Sequence, residues 1–202
     1  MARPLKSVPA ERASADPTAL TTYSTSLPGV IQIELAVFGD DRGRFMETYR
    51  RERYERIGID AELVQDNFSS SVRGTLRGLH HQLTRPQGKL VHVTRGEIYD
   101  VVVDIRRGSP TFGQHTANIL SADNHRQLWI PPGFAHGFLV LSEVADFVYK
   151  TTCAYAPHDE RAIRWNDPEL AIPWPVTAAP TLSARDTQAL LLHDSELPTY
   201  RS

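Results

Sequence analysis

Two adjacent histidines stand in a strand-like segment, "LRGLHHQ" at residues 76–82. An imidazole has a pKa near ~6.5, so it accepts a proton at neutral pH and can act as a general base. Side chains of a strand alternate between its two faces, so His80 and His81 should point in opposite directions, and at most one enters a buried cavity. Strict alternation gives two sets: Leu76, Gly78, His80 and Gln82 on one face, and Arg77, Leu79 and His81 on the other.

His80 could bind a metal, act as a base, or simply be a hydrogen-bonded histidine of a barrel. The segment "PPGFAHGF", which contains His136, resembles the second sequence motif of cupin jelly rolls, and "GLHHQ" lies where their first motif would. Metal-binding cupins usually have two histidines on one strand face, whereas Gln82 occupies the second position here. Two histidines and a neutral amide are a poor ligand set. We expect no metal and no other cofactor, with a metal-dependent cupin oxygenase as the less favoured alternative.

The composition indicates one soluble domain and excludes several kinds of partner. The chain has 202 residues, a net charge of -2 and scattered arginines, so it presents no basic surface for nucleic acid. No apolar run approaches the ~20 residues that cross a bilayer, and the single cysteine, Cys153, cannot form an internal disulfide. We expect a cytoplasmic protein without membrane contact. Residues 1–27 are interpreted as a flexible N-terminal arm and residues 28–202 as a single domain.

Short strands separated by turn sequences follow this arm. The run "VIQIELAVF", "GDDRG" and "RFMETY" predicts a hairpin, and "RRERYERIGI" predicts a short surface helix that ends at Gly58. "SARDTQALLLHD" predicts a late helix with Ser183 as its N-cap. Further strands are predicted at 62–67, 75–82, 88–94, 97–106, 115–120, 126–130, 135–141 and 145–152. This pattern predicts an all-β antiparallel barrel or sandwich, most simply a jelly roll, with a few short peripheral helices.

Seven blocks of the sequence resemble, in order and spacing, the dTDP-4-dehydrorhamnose 3,5-epimerase family. The blocks are "FGDDRGRFMET", "VQDNFS", "LRGLHHQ", "QGKLVHVTRGEIYDVVVDIRRGSPTFG", "RQLWIPPGFAHGFLVLSE", "FVYKTT" and "RWNDPELAIPW". The resemblance implies a dimeric, metal-independent, cupin-type jelly-roll enzyme that inverts C3 and C5 of dTDP-4-dehydro-6-deoxy-D-glucose in dTDP-L-rhamnose biosynthesis. A ketone at C4 acidifies the hydrogens on both neighbouring carbons. The reaction then needs a base, an acid on the opposite face and a donor beside the enolate oxygen.

The resemblance assigns these catalytic roles to four residues. His80 matches the family's base, and Asp186 in "LSARD" matches the acid paired with it. Tyr149 matches the acid that protonates the far face, and Lys89 matches a lysine near the C4 oxygen. A phenol with a pKa near ~10 is protonated at pH 7 and can donate a proton. His81 lies where the family usually has an aromatic residue, so we interpret it as non-catalytic.

The resemblance also assigns the substrate-binding residues. Arg42 and Arg77 match contacts to the diphosphate, since a guanidinium fork suits phosphate oxygens. The other matches are polar positions near the base and sugar, stacking candidates and pocket positions: Glu47, Gln65, Asn67, Phe38, Tyr155, Asp100 and His136. For Asp100, the ordinary alternative is a buried carboxylate paired with an arginine. Ala154 stands where the family often has a second tyrosine, which puts part of the stacking on thymine in doubt.

Several alternatives are not separated by the sequence. Epimerases that invert only C3 or only C5, and ketoisomerases, share the fold and the same residues. A cupin that only binds a sugar nucleotide is another alternative, although the presence of both His80 and Tyr149 speaks against it. We also expect a homodimer, because open sheet edges aggregate unless paired, and the strand "VIQIELAV" could extend a partner's sheet.

Overall fold

The chain between residues 19 and 200, the part that the computed structural model describes, forms two sheets and a separate hairpin. Numbered in chain order, its strands are β1 (Thr21–Ser24), β2 (Ile31–Glu34), β3 (Val37–Asp40), β4 (Gly43–Met46), β5 (Gln65–Val72), β6 (Leu76–Gln82), β7 (Lys89–Arg95), β8 (Glu97–Asp104), β9 (His115–Ser121), β10 (Arg126–Ile130), β11 (Phe134–Val140), β12 (Val144–Thr151) and β13 (Glu160–Ala162). The helical segments are α1 (Arg51–Arg56), α2 (Ala184–Thr187) and a 3₁₀ turn (Leu192–Asp194).

The two sheets are antiparallel and are built from strands that are distant in sequence. One has six strands in the order β1-β2-β10-β7-β12-β5, and the other has five in the order β13-β6-β11-β8-β9. Chain neighbours are often separated, as where β2 pairs with β10 and β6 pairs with β11. Such crossings between two packed sheets define a jelly roll. The predicted all-β, cupin-type jelly-roll fold is confirmed.

Apolar side chains fill the space between the sheets and also cover both outer faces. Between the sheets, the rings of Phe138 and Phe147 lie 4.5 Å apart, centroid to centroid. Trp174 and neighbouring apolar residues of the C-terminal segment cover the five-stranded sheet, and Tyr54 of α1 covers the six-stranded sheet. Central strands are therefore buried on both faces, which explains why β8 and β11 contain nearly continuous apolar runs.

The hairpin and the first helix form where the sequence predicts them. β3 and β4 pair across the "GDDRG" turn. Helix α1 ends as predicted before Gly58, whose φ of 85° suits glycine. The Gly58 N–H donates to the Glu55 carbonyl and the Ile59 N–H to the Tyr54 carbonyl, which is the Schellman arrangement. This ending turns the chain so that Tyr54 stays packed on the sheet.

Some boundaries differ from the prediction. β5 spans Gln65–Val72 rather than 62–67, and β1 and β13 have no counterpart among the predicted strands. β1 and the buried Leu27 belong to the folded domain, so the predicted arm does not hold for residues 21–27. The sequence "TTYS" is short and polar, and it is a strand because it pairs with β2, which local periodicity does not reveal. Residues 1–18 lie outside the described residues.

A β-bulge interrupts the alternation of β6. Across the pairing with β11, His80 is opposite His136 and Arg77 is opposite Phe138. Two residues of β6 therefore face a single residue of β11. Everything beyond the bulge is shifted by one position relative to a regular strand.

The bulge changes which side chains of β6 share a face. Arg77 and His80 both line one cavity, and Leu76 and Leu79 both pack under the C-terminal segment. The predicted separation of Arg77 from His80 was therefore wrong, because it assumed an unbroken strand. The predicted separation of His80 from His81 is confirmed, since the two histidines follow the bulge as consecutive residues.

We expect Gly78→Ala to destabilise the fold much more than Gly74→Ala. Both glycines have positive φ, 111° and 77°. An added Cβ at Gly78 would lie 2.6 Å from Gly137 Cα and the His136 carbonyl oxygen, whereas at Gly74 no atom of residues 19–200 lies within 4 Å. Urea unfolding should show losses of ~3–5 kcal/mol for Gly78→Ala and ~1–2 kcal/mol for the control. Equal losses would contradict this account of the bulge.

Candidate active site

A cavity of about 560 Å³, including its open mouth, lies between the two sheets. The five-stranded sheet contributes Arg77, His80, His136, Gly137 and Phe138, and the six-stranded sheet contributes Phe68, Ser69, Lys89, Phe147 and Tyr149. Polar groups from both sheets thus converge on one space with apolar walls, as is typical of a small-molecule site. The structure brings together three of the predicted catalytic residues, namely His80, Lys89 and Tyr149.

His80 is held by a buried carboxylate. Its Nε2 lies 2.5 Å from Oδ1 of Asp186, which is 2% exposed and comes from α2. A carboxylate oxygen accepts hydrogen bonds, so Nε2 carries the hydrogen and donates it to Asp186. In the neutral ring, Nδ1 is then the unprotonated nitrogen. The fourth predicted catalytic residue, Asp186, therefore fixes which nitrogen of His80 can accept a proton.

Other donors keep Asp186 ionised. Ser183 Oγ donates to Asp186 Oδ2 at 2.8 Å and accepts from the Asp186 N–H at 3.1 Å, which confirms Ser183 as the N-cap of α2. Burial raises the pKa of Asp186, but hydrogen bonds from His80, Ser183 and the Gly78 N–H outweigh it and hold the pKa below its usual value. Asp186 is therefore a negatively charged acceptor for the Nε2–H of His80.

Lys89 and Tyr149 enter the cavity from the opposite sheet. Lys89 Nζ lies 3.5 Å from the His80 carbonyl oxygen. Burial lowers the pKa of Lys89 to about 8, against the opposing charge of Asp100. The Tyr149 ring packs 5.5 Å from that of Phe147, and burial raises the pKa of the phenol. Tyr149 is therefore protonated at neutral pH and available as a donor.

His136 and Asp100 form a second histidine–carboxylate pair. His136 Nε2 donates to Asp100 Oδ2 at 2.8 Å, and its ring stacks on Phe147 at 5.9 Å. Asp100 is 0% exposed and lies behind His136 rather than in the cavity lining. Its partner is a histidine, not the arginine considered as the ordinary alternative.

Three predicted ligand residues form a connected edge beside the cavity. Gln65 Nε2 donates to Asn67 Oδ1 at 2.7 Å, and Gln65 Oε1 accepts from the Tyr155 N–H at 2.8 Å. Asn67 is opposite Tyr149 in the pairing of β5 with β12, and Tyr155 is half exposed. These residues do not line the cavity itself, but they present amide groups and an aromatic ring next to Tyr149.

Three other predicted ligand residues lie apart from this chain's own cavity. Phe38 and Arg42 are on the hairpin, where the Arg42 side chain is 90% exposed and pairs with Asp40 at 2.5 Å. Glu47 follows the hairpin and accepts from Arg53 Nη1 at 2.7 Å. None of the three belongs to the cavity lining.

A carboxylate that the sequence did not single out approaches His80, and an arginine pairs with it. Glu160 Oε1 lies 4.0 Å from His80 Nδ1, the nitrogen that faces away from Asp186. Glu160 also pairs with Arg185 and accepts from the Tyr155 hydroxyl at 2.8 Å. The position of Arg185 next to Asp186 in "LSARD" was a usable signal. The sequence around Glu160, which lies in the three-residue strand β13, gave no comparable signal.

His81 has a structural environment. It is buried, its Nε2 lies 3.1 Å from the Glu196 carbonyl oxygen, and it does not line the cavity. Burial lowers its pKa to about 4, so the ring is neutral at pH 7. This environment agrees with its interpretation as a non-catalytic residue.

Two other kinds of feature were searched for in residues 19–200. There is no group of three or more histidine, cysteine, aspartate and glutamate side chains in that range that could hold a metal ion. Within the same range, no helix combines the length and apolar character needed to cross a membrane.

Comparisons with known proteins identify the family. A family model described as dTDP-4-dehydrorhamnose 3,5-epimerase matches residues 24–194. The chain belongs to this family. A dTDP-4-dehydrorhamnose 3,5-epimerase from Pseudomonas aeruginosa is 56% identical over 172 residues, which cover 85% of this chain and 95% of the relative. A dTDP-6-deoxy-D-glucose-3,5-epimerase from Legionella pneumophila, crystallised with dTDP-4-keto-L-rhamnose, has a TM-score of 0.89 and 50% identity, covering 91% of this chain and 100% of its own.

Family membership confirms the resemblance seen in the sequence and makes the protein an isomerase of the epimerase type. The family also contains a narrower activity. A dTDP-4-dehydrorhamnose 3-epimerase from Streptomyces niveus is 41% identical over 180 residues, which cover 86% of each chain. The relatives of this chain therefore include proteins named for double and for single inversion.

Proposed function

We propose that the protein inverts both C3 and C5 of dTDP-4-dehydro-6-deoxy-D-glucose, giving dTDP-4-dehydro-L-rhamnose in dTDP-L-rhamnose biosynthesis. The proposed reaction needs no cofactor. The observation that carries the proposal is that His80 and Tyr149 reach one cavity from opposite sheets, with Lys89 beside them. The ligand named for the Legionella relative, dTDP-4-keto-L-rhamnose, supports the choice of substrate. A cytoplasmic location agrees with the free thiol of Cys153.

His80 is the proposed base. Its Nδ1 takes the proton from the carbon next to the C4 ketone. The C–H electron pair then forms the C=C bond between that carbon and C4, and the C=O π pair moves onto oxygen to give the enolate. Asp186, 2.5 Å from Nε2, stabilises the imidazolium that forms. Because Asp186 is already ionised and hydrogen-bonded in the free protein, little rearrangement is needed when this charge appears.

Lys89 is the proposed donor to the enolate oxygen. Its ammonium group is buried in the cavity that contains His80 and Tyr149, where a positive charge acts more strongly than in water. With a pKa of about 8, Lys89 is mostly protonated at neutral pH and loses that proton in mildly alkaline solution. We therefore expect turnover to fall above that range.

Tyr149 is the proposed acid on the far face. Burial raises the pKa of its phenol, which keeps the proton in place until a strongly basic carbanion arises. Transfer from the hydroxyl to carbon completes the inversion and leaves a tyrosinate. Exchange with solvent then restores the phenol and neutral His80. C3 and C5 both flank the C4 ketone, so one base and one acid can serve both positions.

The nucleotide half of the substrate is assigned to the edge of the cavity. Arg77 lines the cavity and is oriented by a 3.0 Å hydrogen bond from its Nε to Ser71 Oγ, so its terminal nitrogens are available for phosphate oxygens. Gln65 and Asn67 provide amide groups for the base and sugar, and the half-exposed ring of Tyr155 provides a stacking surface.

A homodimer gives a role to the residues outside the cavity. The hairpin pairs with neither sheet and exposes Phe38 (44%) and Phe45 (70%) to solvent. We place this hairpin against the cavity of a partner protomer, where Phe38, Arg42 and Glu47 would complete the nucleotide site. The segment Ile31–Glu34, which the sequence suggested as a partner's extra strand, pairs instead with β1 and β10 of its own chain.

The test is the reaction in heavy water. We expect the wild-type protein to place deuterium at both C3 and C5 of the product, read by NMR, because His80 removes both original hydrogens and Tyr149, whose hydroxyl exchanges with solvent, supplies their replacements. Deuterium at one carbon only would favour the 3-epimerase activity named for the Streptomyces relative and would contradict the proposed double inversion. Activity that requires stoichiometric iron, manganese or nickel would favour the metal-dependent alternative.

Variants separate the two catalytic groups in the same assay. His80→Ala should lose exchange at both carbons, by ~10²–10⁴ in rate. Tyr149→Phe keeps the base and Lys89 but lacks the far-face donor, so it should exchange hydrogen without full inversion. Tyr99→Phe is the matched control, because Tyr99 packs against Trp174 outside the cavity and should behave as wild type. Unchanged inversion in Tyr149→Phe would remove this tyrosine from the mechanism.

Light scattering during size exclusion tests the assembly. At micromolar concentration the wild-type protein should have twice the chain mass of 22.6 kDa. Phe45→Glu puts a charge on the hairpin surface and should give monomers with much reduced turnover. Phe112→Glu, which changes an exposed ring (38%) in the loop between β8 and β9, should remain dimeric and active. A wild-type protein that elutes at the mass of one chain would contradict the homodimer.

A further inference from the structure

Asp100 lies behind the cavity with half of its hydrogen-bonding capacity unused. It sits on β8 with its side chain completely buried. Oδ2 accepts from His136, while Oδ1 is buried and has no hydrogen-bond partner among the described residues. A buried carboxylate with a single donor is costly unless positive charge lies close to it. The packing of the interior does not by itself account for an aspartate at this position.

The candidate source of that charge is Lys89. Its side chain is buried, and its one hydrogen bond within residues 19–200 is the long contact of 3.5 Å to the His80 carbonyl oxygen. Desolvation lowers the pKa of Lys89 to about 8, and the negative charge of Asp100 acts in the opposite direction, raising that pKa. Lys89 and Asp100 come from different sheets, β7 and β8, and both side chains point to the interior.

The other ionisable groups around Lys89 do not replace Asp100. β6 brings Arg77 and His80, β11 brings His136, and β12 brings Tyr149 to the same cavity. None of these supplies a negative charge at neutral pH. Asp186 and Glu160 do, but Asp186 is engaged by His80 and Ser183, and Glu160 is paired with Arg185.

We propose that Asp100 is a positioning residue, whose carboxylate orients the His136 ring and holds the buried Lys89 side chain in its ammonium form. Because His136 Nε2 donates to Asp100, its Nδ1 is left as a free acceptor in the cavity. The charge of Asp100 keeps Lys89 protonated when substrate displaces water. This inference rests on the proposed function, in which Lys89 stabilises the enolate. Asp100 itself does not touch substrate.

The test compares pH profiles of kcat/KM for Asp100→Asn and wild type. Asparagine keeps the shape and an acceptor oxygen but removes the charge, so the alkaline limb should move down by about one pH unit. The variant should be close to wild type at pH 6.5 and roughly tenfold weaker above pH 8. Asp100→Glu restores the charge and should move the limb back. A uniform loss at every pH would show a merely structural role and overturn the proposal.

Asp104→Asn is the matched control. Asp104 is on the same strand and is also 0% exposed, but its carboxylate is bound by Arg106, Ser109 and Thr111, away from the cavity. Its replacement should lower thermal stability and leave the alkaline limb in place. A shift of the limb in this variant as well would contradict a specific role for Asp100.

A titration by NMR gives a readout that does not depend on turnover. The lysines of the sequence are Lys6, Lys89 and Lys150, so ¹³Cε labelling gives few signals to assign. Lys89 should titrate near pH 8 in wild type and about one unit lower in Asp100→Asn, while Lys150, paired with Asp66, stays unchanged. An unchanged Lys89 titration overturns the inference. If wild type failed to turn over the proposed substrate, this titration would still decide the role of Asp100.

Discussion

The hydrogen bond between His80 Nε2 and Asp186 joins β6 of the five-stranded sheet to the C-terminal segment. It forms only when that segment packs on the outside of the sheet, through contacts such as the Leu76 N–H to the Thr181 carbonyl. The bulge in β6 contributes directly, because it brings His80 to the same face of the strand as Arg77. The base is therefore assembled from two parts of the chain that are 106 positions apart, and it depends on the C-terminal segment being bound to the sheet.

The interior of the jelly roll is divided between apolar packing and ionisable groups. Apolar and ionisable residues share the inward face of each strand. On β7, Lys89 is followed two positions later by Val91, and on β8, Asp100 is followed two positions later by Val102, both valines being part of the apolar cluster. Burying so many ionisable groups costs free energy unless each has a partner. The two histidine–carboxylate pairs meet most of that need, and aromatic rings such as Phe147 limit water around them. The exclusion of water raises the free-energy cost of burying these charges, and it also strengthens their electrostatic interaction with a bound substrate.

The sequence predicted features that depend on local pattern. The opposite directions of His80 and His81 follow from strand periodicity, and the end of α1 follows from Gly58. The placement of Arg77 beside His80 was missed, because a bulge depends on contact between two strands rather than on the sequence of one. β13, which carries Glu160, is too short for any periodic signal. The pairing of His80 with Asp186 spans 106 positions and came from family resemblance, not from spacing.

The tautomer of His80 is the most direct test of this account. In protein with ¹⁵N-labelled histidine, long-range ¹H–¹⁵N correlation spectra distinguish a protonated ring nitrogen from a bare one, and His80→Gln identifies the signals by their loss. With Asp186 ionised beside Nε2, the neutral ring of the free protein should carry its hydrogen on Nε2 and leave Nδ1 bare. A neutral His80 that carries its hydrogen on Nδ1 would show that the carboxylate does not direct the base toward the cavity, and would contradict the account.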